Sequence, residues 1–221
     1  MNALLITGTD TGVGKTWVGR ALGRALAAAG RRVVAIKPVE TGCADATAGG
    51  EDGALLAAAT GQAEPLAALH RYEAPLAPAL AAERAGETID LDAMVLRMEA
   101  LGADAEVVLI EGAGGLLCPI TWDWTVVELA RTLGARALVV GSDRRGVINH
   151  TLLTLSALEL AGLEVAGVVL TPPALPDEST GTNAAAIARL AGVERVVALP
   201  RVADPAAALG GIAPVLDWLP A

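Results

Sequence analysis

Six short runs of this chain are apolar at nearly every position: Ala3–Thr7, Arg32–Ile36, Val107–Ile110, Ala137–Val140, Val165–Leu170 and Arg195–Ala198. A strand with one face in water alternates polar and apolar residues, whereas these runs have no solvent face to offer. They predict strands buried on both sides, as in a parallel sheet covered by helices. Between them lie Ala/Leu-rich stretches of helical spacing near 15–29, 53–60, 91–102, 124–133, 147–161 and 183–191, with a short one near 213–218. This alternation predicts an α/β fold, a doubly wound and mainly parallel sheet flanked by helices with right-handed crossovers. No repeat or linker divides the chain, so residues 1–221 read as a single domain. Gly30, Gly102, Gly134, Gly162 and Gly192 stand where helices should stop. Asp90 and Asp123 stand where two should start. The stretches 41–52, 62–90 and 171–182 read as long connections, which in a compact domain are functional or mobile.

The first run leads directly into Gly8-Thr9-Asp10-Thr11-Gly12-Val13-Gly14-Lys15-Thr16 and then into a helix. A phosphate-binding loop needs glycines for close backbone approach and inward-pointing amides at a helix N-terminus. It also needs a Lys to reach the β- and γ-phosphates and a hydroxyl for Mg²⁺. Gly14, Lys15 and Thr16 meet those last requirements, and the strand–loop–helix order is P-loop NTPase-like. The usual spacing leaves four residues between the two glycines. Here Thr9 holds the expected first position and Gly8 sits one earlier.

Three further segments bear chemistry. Lys37 ends the second apolar run, in Val33-Val34-Ala35-Ile36-Lys37-Pro38-Val39-Glu40-Thr41-Gly42. The carboxyl end of a buried strand is where ligands bind in open α/β sheets, so its ammonium either reaches a γ-phosphate or is a solvated strand-end charge. Glu111 follows the third run and precedes Gly112-Ala113-Gly114-Gly115. It is placed to hold Mg²⁺, with glycines that let backbone approach phosphate; the alternative is a surface charge on a turn. Asp52, in Gly49-Gly50-Glu51-Asp52-Gly53, reads alone as a loop acid or N-cap. Gly146-Val147-Ile148-Asn149-His150-Thr151 opens a helix whose amides suit a carboxylate, and His150 reads there as a local hydrogen-bonding residue rather than a catalytic base. Trp122 and Trp124 read as packing or interface residues.

Charge limits the partners. The formal net charge is -9, and clustered basic residues for a nucleic-acid surface are lacking. Hydrophobic residues make up 53% of the chain, yet charges interrupt every candidate span before the ~18 residues that a membrane helix requires. The N-terminus runs straight into an apolar segment without a basic leader region, so a soluble, cytoplasmic protein is expected, with no nucleic-acid or membrane partner. Cys43 and Cys118 are far apart, have no CxxC spacing and read as reduced thiols. Fourteen of the 16 basic residues are Arg, and the only lysines are Lys15 and Lys37. Lys is thus kept at the loop position where a compact ammonium meets phosphate and a planar guanidinium would not fit in the same way, and Lys37 is the candidate for a second such point charge.

Taken together, GTDTGVGKT at the N-terminus, KPVETG from Lys37, LIEGAGG from Leu109 and GVINHT from Gly146 resemble the dethiobiotin synthetase family, in its order and close to its spacings. The resemblance runs from residue 3 to about residue 202, and the shifted first glycine is normal for that family. It implies an ATP-dependent ligase that closes the cyclic urea of dethiobiotin from 7,8-diaminononanoate and CO₂. The route it implies is a carbamate, then a carbamic-phosphoric anhydride, with release of ADP and phosphate. It also implies a homodimer in which the segment Gly146, Val147, Ile148 and Asn149 binds the substrate carboxylate across the interface. Thr11 and Thr41 match substrate-contacting hydroxyls, and Lys37 and Lys15 match the catalytic lysines. Thr16, Asp52 and Glu111 match the Mg²⁺ ligands, with Glu51 a rival to Asp52. Nucleotide contacts are implied for Gly12, Val13, Gly14, Lys15, Thr16, Trp17, Asp52, Glu111, Gly112, Ala113, Gly114, Thr171, Pro200, Arg201 and Val202.

Two departures stand out. Gly12 replaces an acid that some members carry near the nucleotide. Thr171 replaces the Asn of members with a firm adenine preference, which implies relaxed base selection. Other readings are weaker. A cobyrinic acid a,c-diamide synthase needs a glutaminase domain for which 221 residues leave no room. A partitioning-type ATPase carries a second Lys early in the loop, where this chain has Thr9, Asp10 and Thr11. A non-catalytic nucleotide-binding module is the remaining alternative.

Overall fold

The computed structural model describes residues 2–43, 50–200, 202 and 209–219. Its elements in chain order are β1 (Ala3–Gly8), α1 (Lys15–Ala28), β2 (Val33–Ile36), β3 (Val39–Thr41), α2 (Asp52–Thr60), β4 (His70–Tyr72), α3 (Pro78–Ala85) and α4 (Leu91–Gly102). They continue with β5 (Val107–Gly115), α5 (Val126–Thr132), β6 (Arg136–Ser142), α6 (Val147–Leu160), β7 (Val165–Thr171), α7 (Asn183–Ala191), β8 (Val196–Ala198) and α8 (Leu209–Leu216). Six strands form one sheet in the order β2-β5-β1-β6-β7-β8, and all its neighbours pair in parallel.

The apolar runs are buried as their composition requires, with successive residues facing opposite helical layers. Ala3 and Leu5 of β1 join one core with Met98, Leu129 and Leu158. Leu4 and Ile6 join the other with Leu22, Leu56 and Val215. In β5, Val108 and Ile110 face the first core, whereas Val107 and Leu109 face the second. That parity turns Glu111 toward the α1–α2 layer.

Several local expectations are corrected. β5 continues to Gly115, with Glu111 paired to Ile6 and Gly115 to Gly8 across an irregularity that takes up the residues between them, so the segment after Glu111 is strand and not a turn. The connections hide a small second sheet, β3 paired in parallel with β4, and the helix α3. Gly102 is the last helical residue of α4, without a left-handed backbone, because Ala103 continues the right-handed turn. Asp90 caps α4, accepting from Ala93 N at 2.9 Å. The cap of α5 is Thr125 rather than Asp123: its hydroxyl accepts from Val127 N at 3.2 Å, and Glu128 accepts from Thr125 N at 2.7 Å. α8 begins at Leu209 and carries Pro214 within it, four residues before the expected start. No helix among the described residues is long and apolar enough to cross a membrane.

Candidate active site

The carboxyl ends of β2, β5 and β1 deliver Lys37, Glu111 and the glycine-rich loop side by side, with β5 between the other two. The loop explains its own unusual glycine spacing. A Cβ at Gly8 would stand 2.6 Å from the Asp10 carbonyl oxygen, 2.9 Å from Val13 Cγ2 and 3.0 Å from Lys15 Nζ. The residue where the chain folds back over itself is therefore Gly8, and Thr9 sits outside the tightest point. Gly14 has φ 93° and opens α1 with neither a side-chain cap nor an acidic residue in the first turn. An uncapped helix N-terminus of this kind presents N–H groups and positive dipole to an anion.

Lys15 curls over the loop, its Nζ donating to the Asp10 carbonyl at 3.0 Å. Burial, reinforced by the charge of Lys37, lowers its pKa below the ordinary lysine value. Lys37 Nζ lies 2.6 Å from Glu111 Oε1 and 3.0 Å from Asp52 Oδ2. Burial disfavours the Lys37 ammonium, but Glu111 and Asp52 outweigh burial and hold its pKa above the lysine value. The solvated strand-end alternative for Lys37 is thereby excluded, since its side chain is 5% exposed.

Thr16 Oγ1 completes the group, 2.8 Å from Asp52 Oδ1 and 2.9 Å from Glu111 Oε1. A hydroxyl has one proton, so it donates to one carboxylate at a time and leaves an excess of oxygen lone pairs. Glu111 is fully buried, and its Oε2 has no hydrogen-bond partner among the described residues. Burial, with the neighbouring Asp52, raises the Glu111 pKa against the opposing pull of Lys37. Asp52 is shifted down: burial pushes upward, and Lys37 and Thr16 more than reverse it. Two carboxylates and a hydroxyl with unmet lone pairs are the hard-oxygen donor set that a small divalent cation takes. Glu51 is turned elsewhere, onto Arg71, with Nε at 2.7 Å and Nη2 at 2.5 Å.

A cavity of about 320 Å³ gathers Thr11, Gly12, Lys15, Thr16, Lys37, Thr41, Asp52, Glu111, Ala113 and Gly114, together with Val39 and Glu40. Those last two were not among the residues expected from sequence. The acid inside the KPVETG segment was the available signal. Gly112 is buried against Val126, where a Cβ would come within 3.1 Å of Val126 Cγ1. Thr171 lies beneath the loop: its hydroxyl donates to the Val13 carbonyl at 2.7 Å, and a Cβ on Gly14 would stand 2.9 Å from its methyl. Trp17 packs against the α1-side core. Pro200 is exposed and Val202 half-buried, while Arg201 lies outside the described residues.

Gly146, Val147, Ile148 and Asn149 are not in that cavity. Val147 shares a separate narrow cleft with Thr9, Asp10, Arg144 and Arg145 on the β6 side of the loop. Gly146 opens α6 with φ 94° and no side-chain cap, and Val147 N is bound to the Arg144 carbonyl. His150 is exposed on that opening turn.

Comparison with known proteins gives the family of the chain. A family model described as an AAA domain matches residues 2–208. The ATP-dependent dethiobiotin synthetase BioD of Anaeromyxobacter dehalogenans (strain 2CP-C) is 44% identical over 220 residues, covering 96% of this chain and 97% of that one. The protein of the same name from Aquifex aeolicus is 39% identical over 201 residues, covering 91% and 90%. Among solved structures, the cell division ATPase MinD of Pyrococcus furiosus superposes with TM-score 0.57 at 17% identity, covering 99% of this chain and 98% of that one. The MinC:MinD cell division protein complex of Aquifex aeolicus gives 0.60 at 14%, covering 98% and 95%. Those likenesses show the fold alone. The relatives, near-complete in both directions, carry the identity: this chain belongs to the ATP-dependent dethiobiotin synthetase family.

Proposed function

We propose that residues 1–221 act as one ligase domain that makes the ureido ring of dethiobiotin from 7,8-diaminononanoate, CO₂ and ATP. The observation that carries this reading is the convergence of both lysines of the chain on one cavity, with Thr16, Asp52 and Glu111 beside them. One amine adds to CO₂ and loses a proton, giving a carbamate. A carbamate oxygen attacks the γ-phosphorus, and the bond to ADP breaks. The second amine attacks the resulting carbamic-phosphoric anhydride at carbon, phosphate leaves with its electron pair, and a proton is lost as the ring closes.

Two anions must meet for the second step, so positive charge has to be concentrated and fixed in advance. Lys15 and the amides opening α1 bind the β- and γ-phosphates. Lys37 faces the oxygens where charge shifts during transfer. Thr16, Asp52 and Glu111 are the residues that would hold Mg²⁺, which neutralises triphosphate charge when bound. Thr11 and Thr41, on the cavity wall, orient the carbamate. Gly12, Val13, Gly14, Trp17, Gly112, Ala113 and Gly114 cradle the nucleotide, with Thr171, Pro200, Arg201 and Val202 toward its base. The α6 opening at Gly146–Asn149 takes the substrate carboxylate of a partner subunit, which supports a homodimer because that segment stands outside the cavity of its own chain. The acidic net charge supports an enzyme without a nucleic-acid partner, which on this proposal is cytoplasmic and off the membrane.

Phosphate release tests the whole reading. It should require ATP, bicarbonate and the diamine together; hydrolysis indifferent to the diamine overturns the synthetase chemistry in favour of a simple P-loop ATPase.

A further inference from the structure

The reaction outlined above has no use for one acid of the KPVETG segment. Glu40 is buried in β3, and its two carboxylate oxygens accept from Asp52 N at 2.5 Å and Gly53 N at 3.0 Å. These are the first two residues of α2, whose own N-cap residue, Glu51, makes no side-chain cap hydrogen bond. Glu51 is engaged instead by Arg71, the residue that pairs with Glu40 across β3 and β4. Gly53 also has no room for a Cβ, because the backbone of Ala67 and Ala68 lies against it. The opening turn of α2 is thus held from three directions. Its first side chain is Asp52, which reaches Thr16 at 2.8 Å and Lys37 at 3.0 Å.

We propose that Glu40 is a positioning residue: its carboxylate caps α2 from a neighbouring strand and thereby sets where Asp52 stands against Thr16 and Lys37. A buried carboxylate on two N–H groups of a helix N-terminus makes charge-assisted bonds that the helix dipole reinforces. Removing it leaves two donors unmet, one of them the buried Gly53 N–H, which the turn can relieve only by moving. Asp52 has a partly exposed side chain and follows its backbone. The metal role of Asp52 belongs to the function proposed above; its placement by Glu40 can be tested apart from that role.

The composition supplies the probe. With only Lys15 and Lys37 in the chain, enzyme labelled with ¹³C/¹⁵N-lysine gives two side-chain NMR signals, assigned by the Lys37→Arg variant. Glu40→Ala should shift the Lys37 signal in the same direction as Asp52→Asn and add nothing in the double variant. Glu40→Gln, which keeps one acceptor, should fall between and serves if Glu40→Ala does not fold. Loss of a distant helix cap by Thr125→Ala should leave the signal in place, which separates positioning from general destabilisation. Mn²⁺ affinity of the ADP complex should weaken roughly tenfold in Glu40→Ala and Asp52→Asn alike. A Lys37 signal unmoved by the Glu40 variants, or shifts that sum in the double variant, overturns the proposal. Coinciding lysine shifts with Mn²⁺ affinity untouched by Asp52→Asn would uphold the positioning and remove Asp52 from the metal site instead.

Discussion

The glycine-rich loop has two unlike neighbours. Toward β5 and β2 it meets ionised side chains, with Lys37, Glu111 and Asp52 linked at 2.6 and 3.0 Å. Toward β6 and β7 its hydrogen bonds are neutral, with Arg144 and Arg145 only at the rim of the cleft: Thr9 N donates to the Val140 carbonyl at 2.9 Å, and Thr171 donates to the Val13 carbonyl at 2.7 Å. Buried charge is costly, and a fold tolerates it where charge has work to do at a reacting centre. Neutral hydrogen bonds fix a shape without altering its electrostatics. The difference predicts that changes on the β5 side fall mainly on turnover and changes on the β7 side mainly on nucleotide binding.

Replacing Lys37 tests that division most severely. Lys37→Gln should lower kcat by about 10²–10³, the scale seen when a preorganised charge donor is lost, while the Kd for ADP changes little. Equal losses in both would move Lys37 to the binding side. A smaller effect, about tenfold per pH unit, should appear in alkaline pH profiles. Lys15 has a lowered pKa and Lys37 a raised one, so rising pH removes the Lys15 charge first. Because kcat/KM reports the free enzyme, kcat/KM for ATP should fall in solutions where the Lys37 charge still persists. Persistence of kcat/KM beyond the pH at which Lys37-dependent turnover fails would contradict this order.

On the β7 side, Thr171→Val keeps the shape of the side chain but leaves the Val13 carbonyl without its donor. A lost neutral hydrogen bond of about 1 kcal/mol predicts a roughly fivefold higher KM for ATP at unchanged kcat. Thr171→Ser should restore it, and a fall in kcat with KM constant would erase the contrast between the two sides. The smallest effect belongs to a cap remote from both. Thr125→Ala should cost about 1 kcal/mol and lower Tm by roughly 2–4 °C, with steady-state kinetics unchanged.

How much of this was legible in the chain depended on the range of the deciding interaction. The loop, Lys15, Lys37 and Glu111 were visible because each sits at the end of an apolar run, and parallel sheets place such ends on one edge. The choice between Asp52 and Glu51 was not. The two are adjacent, and what separates them is Arg71 on a three-residue strand hidden in an Ala- and Pro-rich stretch. Glu40 was overlooked for a similar reason, since its partners lie 12 and 13 residues further along the chain. The Thr125 cap was a different kind of miss. Its partner Glu128 stands three residues on, as a capping box requires, but Asp123 offered an equally eligible side chain.

The order of the strands also dictates when the site can come into being. β1 and β2 do not pair with each other; each pairs with β5, whose residues lie some hundred and some seventy positions further along. A nascent chain that has emerged only as far as residue 106 carries both lysines and lacks Glu111, the buried counter-charge between them. Loop closure over such distances is slow, and helices form before it. On the ribosome, the lysines of this site therefore cannot gain their buried counter-charge before β5, which lies between β1 and β2 in the sheet, has been made.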